Sequence, residues 1–154
     1  MLNEGDRAPN VTLQLPDGSS TSVAEQAGHV LVLYFYPKDD TPGCTTEAQA
    51  FTALHAEFGA IGATVIGVSK DPPKKHQKFI DKYELKIQLA SDSDDSVCDT
   101  YGTWIEKSLY GRNYMGIDRA TFLIDKAGTI ARIWRKVKVK GHAEAVLEAA
   151  KAIA

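Results

Sequence analysis

Cysteine is scarce in this 154-residue chain: Cys44 and Cys98 are the only two. That is too few for a disulfide-stapled secreted domain, so each thiol is expected to be free or a redox centre. Long apolar runs are missing as well. The longest, Val30 to Tyr36, is far too short to cross a bilayer. The opening residues, Met1 to Arg7, hold no apolar stretch of the signal-peptide kind. No sign of charge dominates, since 18 Lys and Arg face 20 Asp and Glu, for a net charge of −2 and a pI near 6.1. A nucleic-acid binder ordinarily carries a basic excess, so neither nucleic acid nor membrane is expected as a partner. Repeats, low-complexity tracts and linkers are absent too. What is present is 44% hydrophobic and 25% charged, close to the globular average. A chain of this size buries roughly 70% of its unfolded surface. The expectation is one domain over residues 1–154, soluble and cytoplasmic.

The elements alternate along the chain. Val11 to Leu15 alternates apolar with polar, Pro16-Asp17-Gly18-Ser19 is a turn signal, and Thr21-Ser22-Val23 can return as a hairpin arm. Val30 to Tyr36 is continuously apolar, as in a strand covered on both faces, and Pro37 ends it. Thr45 to Phe58 reads as a helix with Ala48, Phe51, His55 and Phe58 on its inner face. Ala63 to Ser69 is a second buried strand. Asp71 is a candidate N-cap for a helix running to Tyr83, with Phe79, Ile80 and Tyr83 inward. Gln88 to Ala90 reads as a weak strand, Ser93 to Tyr101 as a short helix, and residues 102–118 as a long loop. Ala120 to Ile124 and Thr129 to Trp134 form an antiparallel pair, and a helix runs from His142 to Ile153. Parallel strands joined by helices, an N-terminal β-hairpin and a terminal antiparallel pair predict an α/β chain with a mixed central sheet flanked by helices. That arrangement is thioredoxin-like.

Pro37-Lys38-Asp39-Asp40-Thr41-Pro42-Gly43-Cys44 joins a buried strand to a helix, at the strand's carboxyl end. Sites in open α/β sheets collect at that edge. Thr41 suits the N-cap and Pro42 the first helical position, which puts Cys44 in the first turn. Free backbone N–H groups and the positive end of the helix dipole point there and favour a thiolate over a thiol. The thiolate is the nucleophile in thiol chemistry. An inert buried cysteine is the competing reading of the same position.

The spacing Pro-x-x-x-Thr-x-x-Cys, carried by Pro37, Thr41 and Cys44, resembles the active-site signature of the peroxiredoxins. Asp118 to Asp125 resembles the family's strand bearing its arginine, here Arg119. Tyr101 to Lys107 and Cys44 to Ala48 are similar to the bacterioferritin comigratory, or Q-type, branch. The resemblance covers nearly the whole chain. It implies a peroxidase in which Cys44 attacks the O–O bond, Thr41 hydrogen-bonds the peroxide, Pro37 shields the sulfur and Arg119 stabilises developing charge. Glu47, three residues past Cys44, is a candidate for orienting Arg119 from behind.

Many Q-type members carry a resolving cysteine five residues after the nucleophile, where this chain has Gln49. Residues 72–83, another place for a resolver, hold none. Cys98 is expected to be a small buried thiol, with a resolving role as the alternative. The resemblance implies hydrogen peroxide and organic hydroperoxides as substrates, and the departure from its resolving cysteine leads to the expectation of a one-cysteine cycle. The sulfenic acid on Cys44 would be recycled by glutathione, a glutaredoxin or a thioredoxin. It implies a monomer and no cofactor. His29, His55, His76 and His142 are widely separated, so no metal is expected. Thioredoxin-type dithiol chemistry lacks its Cys-x-x-Cys, and a cysteine phosphatase lacks an arginine in residues 45–51. A non-catalytic binding module on the same fold is the reading from another class.

Overall fold

A computed structural model describes residues 1–92 and 94–154. Two strands set the frame. β3 (Val30–Phe35) and β4 (Ala63–Ser69) pair in parallel from Val30↔Ala63 to Phe35↔Val68. Every residue of β3 is buried, which is what its unbroken apolar run requires. The hairpin β1 (Thr12–Gln14) and β2 (Ser20–Ser22) and the strand β5 (Gln88–Ser91) extend the sheet on one side. The antiparallel pair β8 (Ala120–Ile124) and β9 (Ile130–Trp134) extends it on the other. The order is β2-β1-β5-β4-β3-β8-β9.

Strand alternation divides the core in two. Val30, Val32, Tyr34 and Tyr36 face one side, where they meet Cys44, Phe51, Phe58, Phe79 and Val146. Leu31, Leu33 and Phe35 face the other, where they meet Leu13, Cys98, Tyr101 and Phe122. Each fully buried Leu, Val or Phe contributes about 1.5–3 kcal/mol relative to exposure. The first layer belongs to α1 (Pro42–Ala53), α2 (His55–Ala60), α3 (Pro73–Tyr83) and α5 (His142–Ile153). The second belongs to α4 (Ser96–Tyr101) and the N-terminal hairpin. Tyr34 fits only because its partner in β4 is Gly67. A Cβ there would lie 2.6 Å from the Tyr34 ring, which stacks on Phe51 of α1 at 4.7 Å.

Several expectations are corrected. The helix that holds Cys44 starts at Pro42, as its capping residues predict, but does not run on to Phe58: it breaks at Leu54, whose backbone turns to φ −99° and ψ 7°. The break rotates the next helix, so His55 faces solvent while Leu54 packs on the core. Asp71 caps nothing: Pro72 occupies the cap of α3, and the Asp71 carboxylate accepts from Ser69 Oγ at 2.7 Å and the Asp39 amide at 2.8 Å. The short helix is Ser96–Tyr101, while Ser93 lies outside the described residues.

The expected loop over 102–118 is a two-stranded ribbon, β6 (Trp104–Leu109) and β7 (Arg112–Ile117). Its turn places Tyr110 at φ 52° and Gly111 at φ 76°, the left-handed pair of a type I′ hairpin. The Asp118 amide donates to Thr103 O at 2.7 Å and closes the ribbon's base. The chain leaves that base directly into Arg119. No helix among the described residues is long and apolar enough to cross a membrane.

Candidate active site

The segment between β3 and α1 and the first turn of α1 carry Pro37, Thr41 and Cys44 to the carboxyl edge of the sheet. Pro42 and Gly43 precede Cys44 in the first turn of α1, so Cys44 sits third in the helix. Cys44 is 2% exposed. Thr41 occupies the N-cap with extended backbone, but its side chain makes no capping bond. Instead its hydroxyl donates to Lys38 O at 2.8 Å. With its hydrogen engaged there, Thr41 Oγ1 has lone pairs free to accept from a donor. Pro37 is half-buried at the end of β3.

Arg119 arrives from the start of β8. Its Nη2 donates to Cys44 Sγ at 3.4 Å and its Nη1 to Glu47 Oε1 at 2.8 Å. One planar fork therefore spans the sulfur and the carboxylate. Gly43 admits the fork: a Cβ at that position would lie 3.2 Å from Arg119 Nη2. Two further contacts hold the arginine's backbone region, Val137 N to Arg119 O at 2.9 Å and Lys136 N to Asp118 Oδ1 at 3.3 Å.

The electrostatics follow from burial. Glu47 is 1% exposed, and burial raises its pKa to about 7, with Arg119 opposing the shift. Burial works against the Arg119 charge, but Glu47 and Cys44 beside it raise its pKa on balance. Lys107 of β6 lies within electrostatic reach of Arg119 and Cys44, and burial pushes its pKa down. At the start of α5, His142 meets Thr121 Oγ1 at 2.7 Å, and burial lowers its pKa to about 4.

Cys98 is placed apart from this group. It is fully buried in α4, its amide donates to Asp92 Oδ2 at 2.9 Å, and burial followed by Asp92 pushes its thiol pKa up to about 12. The sheet stands between the two cysteines. A disulfide needs Cα atoms within about 7 Å, which residues packed on opposite sheet faces do not offer.

Sequence reasoning named Cys44, Thr41, Pro37, Arg119 and Glu47, and the structure brings Cys44, Arg119 and Glu47 into direct contact. It missed Gly43, whose bare backbone was the available signal. It also missed a cluster behind the Pro37–Thr41 loop. There Asp39, Asp71 and His76 gather within 4.8 Å, the metal-type grouping found among the described residues. Its donors and acceptors are already paired within the protein: His76 contacts Asp39 and Ala90 O, and Asp71 accepts from Ser69 and Asp39.

Comparison with known proteins agrees with this geometry. Residues 4–133 match the family model described as AhpC/TSA family. Peroxiredoxin Bcp of Xanthomonas campestris is 48% identical over 143 residues, covering 93% of this chain and 89% of the relative. Peroxiredoxin Bcp of Bacillus subtilis is 44% identical over 147 residues, covering 96% and 94%. Among solved structures, the Xanthomonas campestris bacterioferritin comigratory protein superposes with a TM-score of 0.88 at 47% identity, covering 92% of this chain and 90% of that one. That structure was described in work on alkyl peroxide reduction. Sequence match, fold and the thiol–guanidinium pair converge, and the chain belongs to the AhpC/TSA family, within its Bcp or Q-type peroxiredoxins, as a member without the usual nearby resolving cysteine.

Proposed function

We propose that this peroxiredoxin runs a one-cysteine peroxidase cycle on hydrogen peroxide and organic hydroperoxides. The observation that carries the reading is the Arg119 fork bonded at once to Cys44 Sγ and Glu47 Oε1. A permanent cation against the sulfur stabilises charge arising on the peroxide. Thr41 Oγ1, its hydrogen committed to Lys38 O, accepts the hydrogen of the incoming hydroperoxide. Pro37 covers the approach to the sulfur and limits water there.

The Cys44 thiolate attacks the terminal peroxide oxygen. An S–O bond forms as the O–O bond breaks, so sulfur loses two electrons and the peroxide gains them. The departing alkoxide or hydroxide takes a proton and leaves as alcohol or water, and Cys44 becomes a sulfenic acid. An external thiol then attacks that sulfur, displacing water and forming a mixed disulfide. A second thiol equivalent restores Cys44. Glutathione, a glutaredoxin and a thioredoxin all supply that chemistry. The wide separation of Cys44 and Cys98 supports an external resolver, and the work on the Xanthomonas campestris relative supports organic hydroperoxides as substrates. We further propose that residues 1–154 act as one monomeric domain.

Peroxide consumption with each reductant, in Cys44→Ser and Cys98→Ser, tests the reading. Turnover lost in the first and retained in the second is expected. Turnover lost in Cys98→Ser contradicts the one-cysteine cycle and favours a cycle resolved by Cys98.

A further inference from the structure

Behind the catalytic loop lies a buried hydrogen-bonded chain that the peroxidase scheme does not use. His76 of α3 is fully buried and Asp39 is 4% exposed. His76 Nε2 lies 3.0 Å from Ala90 O, and Nδ1 lies 2.6 Å from Asp39 Oδ2. Tyr36 Oη donates to Asp39 Oδ1 at 2.5 Å. The Asp39 amide donates to Asp71 Oδ2 at 2.8 Å.

Hydrogen-bond roles fix the proton count. A backbone carbonyl only accepts, so Nε2 carries a hydrogen toward Ala90 O. Between Nδ1 and Asp39 Oδ2 one further proton must lie, since two bare lone pairs at 2.6 Å would repel. Neither imidazole nitrogen retains a free lone pair for a metal ion. The pair is a strut rather than a cation site.

The strut ends inside the loop that presents the substrate groups. Asp39 lies between Pro37 and Thr41, and its neighbour Asp40 has the left-handed φ of 57°. Asp40 is itself tied to α3, accepting from Tyr83 Oη at 2.6 Å and Lys82 Nζ at 2.8 Å. The loop is thus pinned to α3 by side chains on both sides of the Asp39–Asp40 peptide. Of these ties, the His76 one is fully dry, and it also reaches β5 through Ala90. Its hydrogen bonds therefore face little competition from water.

We propose that His76 and Asp39 are positioning residues for the peroxide step: a buried pair sharing one proton that fixes the Pro37–Thr41 loop on α3 and β5. The proposal rests on the peroxidase reading for its kinetic consequence. A misplacement of about 1 Å in a reacting group can cost about 100-fold in rate. Alkylation of Cys44 needs only an accessible thiolate and does not require Thr41 in register.

The test compares His76→Gln and Asp39→Asn with the unaltered protein. Glutamine cannot span both Ala90 O and Asp39. Asparagine keeps every contact, its amide donating to a neutral His76 and its carbonyl accepting from Tyr36. In His76→Gln the rate constant of the reduced protein with hydrogen peroxide is expected to fall about tenfold or more. Alkylation by iodoacetamide should stay within about threefold, and Asp39→Asn should keep the peroxide rate within about threefold. Amide hydrogen exchange in residues 38–44 should quicken in His76→Gln while β8 stays protected.

A His76→Gln peroxide rate within about twofold of the unaltered protein overturns the proposal. So does an equal loss in alkylation, an equal loss in Asp39→Asn, or exchange that quickens equally in β8. If His76→Gln does not fold, Tyr36→Phe, which releases Asp39 Oδ1, must show the same local exchange, and its absence overturns the proposal. If the unaltered protein fails to react with peroxide, the peroxidase reading falls, and the exchange comparison alone decides the anchoring.

Discussion

Cys44 and Cys98 are packed on opposite faces of one sheet, with the alternating side chains of β3 dividing them. An oxidised Cys44 therefore has no thiol partner within the folded chain. With excess peroxide and no reductant it is expected to pass from sulfenic to sulfinic acid and lose activity irreversibly. Activity recovered by late addition of thiol separates the states: sulfenic acid is rescued and sulfinic acid is not. Full activity after prolonged exposure would contradict the isolation of the two cysteines.

Arg119→Lys should show whether the fork matters beyond its charge. A single ammonium cannot hold Cys44 Sγ and Glu47 Oε1 at the angles that the two guanidinium nitrogens reach. The expected loss is about 100-fold in the rate constant for peroxide, with a much smaller change in thermal stability. A loss of twofold or less, on the order of 0.4 kcal/mol, would reduce Arg119 to a simple counter-charge.

Glu47 and His142, each buried, predict opposed pH slopes. Glu47 ionises near 7 in the fold against 4.5 ordinarily, so the folded chain holds its proton longer. Its contribution to stability falls as pH rises from 4.5 to about 7, by about 3 kcal/mol. His142 is lowered from 6.5 to about 4, so the unfolded chain binds more protons in that window. Its contribution rises with pH from about 4 to 6.5. The two offset each other between 4.5 and 6.5. Urea melts across that range should show Glu47→Gln rising with pH more steeply than the unaltered protein, and His142→Gln falling. Parallel profiles would contradict both assignments.

Gly67→Ala should destabilise through the core. The new Cβ would stand 2.6 Å from Tyr34 Cζ, and that ring is fixed between Phe51 and the sheet. Overpacking of this kind costs about 1–3 kcal/mol. Chemical denaturation measures it. An unchanged midpoint would mean that the Tyr34 ring moves freely.

Much of this was legible in the residues. β3 announced itself as an unbroken apolar run, and β4 and β8 as mostly apolar β-branched and aromatic ones, because their residues are largely buried. α5 showed its 3.6-residue stripe through Ala143, Val146, Leu147 and Ala150. The Pro37, Thr41 and Cys44 spacing is local, so a reader of the chain meets it whole. Arg119 is distant in sequence, and only the family resemblance singled it out. The ribbon of β6 and β7 was hidden because most of its side chains face water and its turn uses Tyr110 where asparagine or aspartate is the usual signal. The break at Leu54 carries no proline or glycine to mark it. His76 read as one of four scattered histidines, because only folding brings it to Asp39.

The intact mass of fully reduced protein, recorded within seconds of adding one equivalent of hydrogen peroxide, decides whether Cys44 is a one-cysteine peroxidase centre. A gain of about 16 Da, lost in Cys44→Ser, is the predicted result and places a single oxygen on Cys44. A loss of about 2 Da would mean a Cys44–Cys98 disulfide across the sheet and contradict the one-cysteine cycle. An unchanged mass would contradict the peroxidase reading of this site itself.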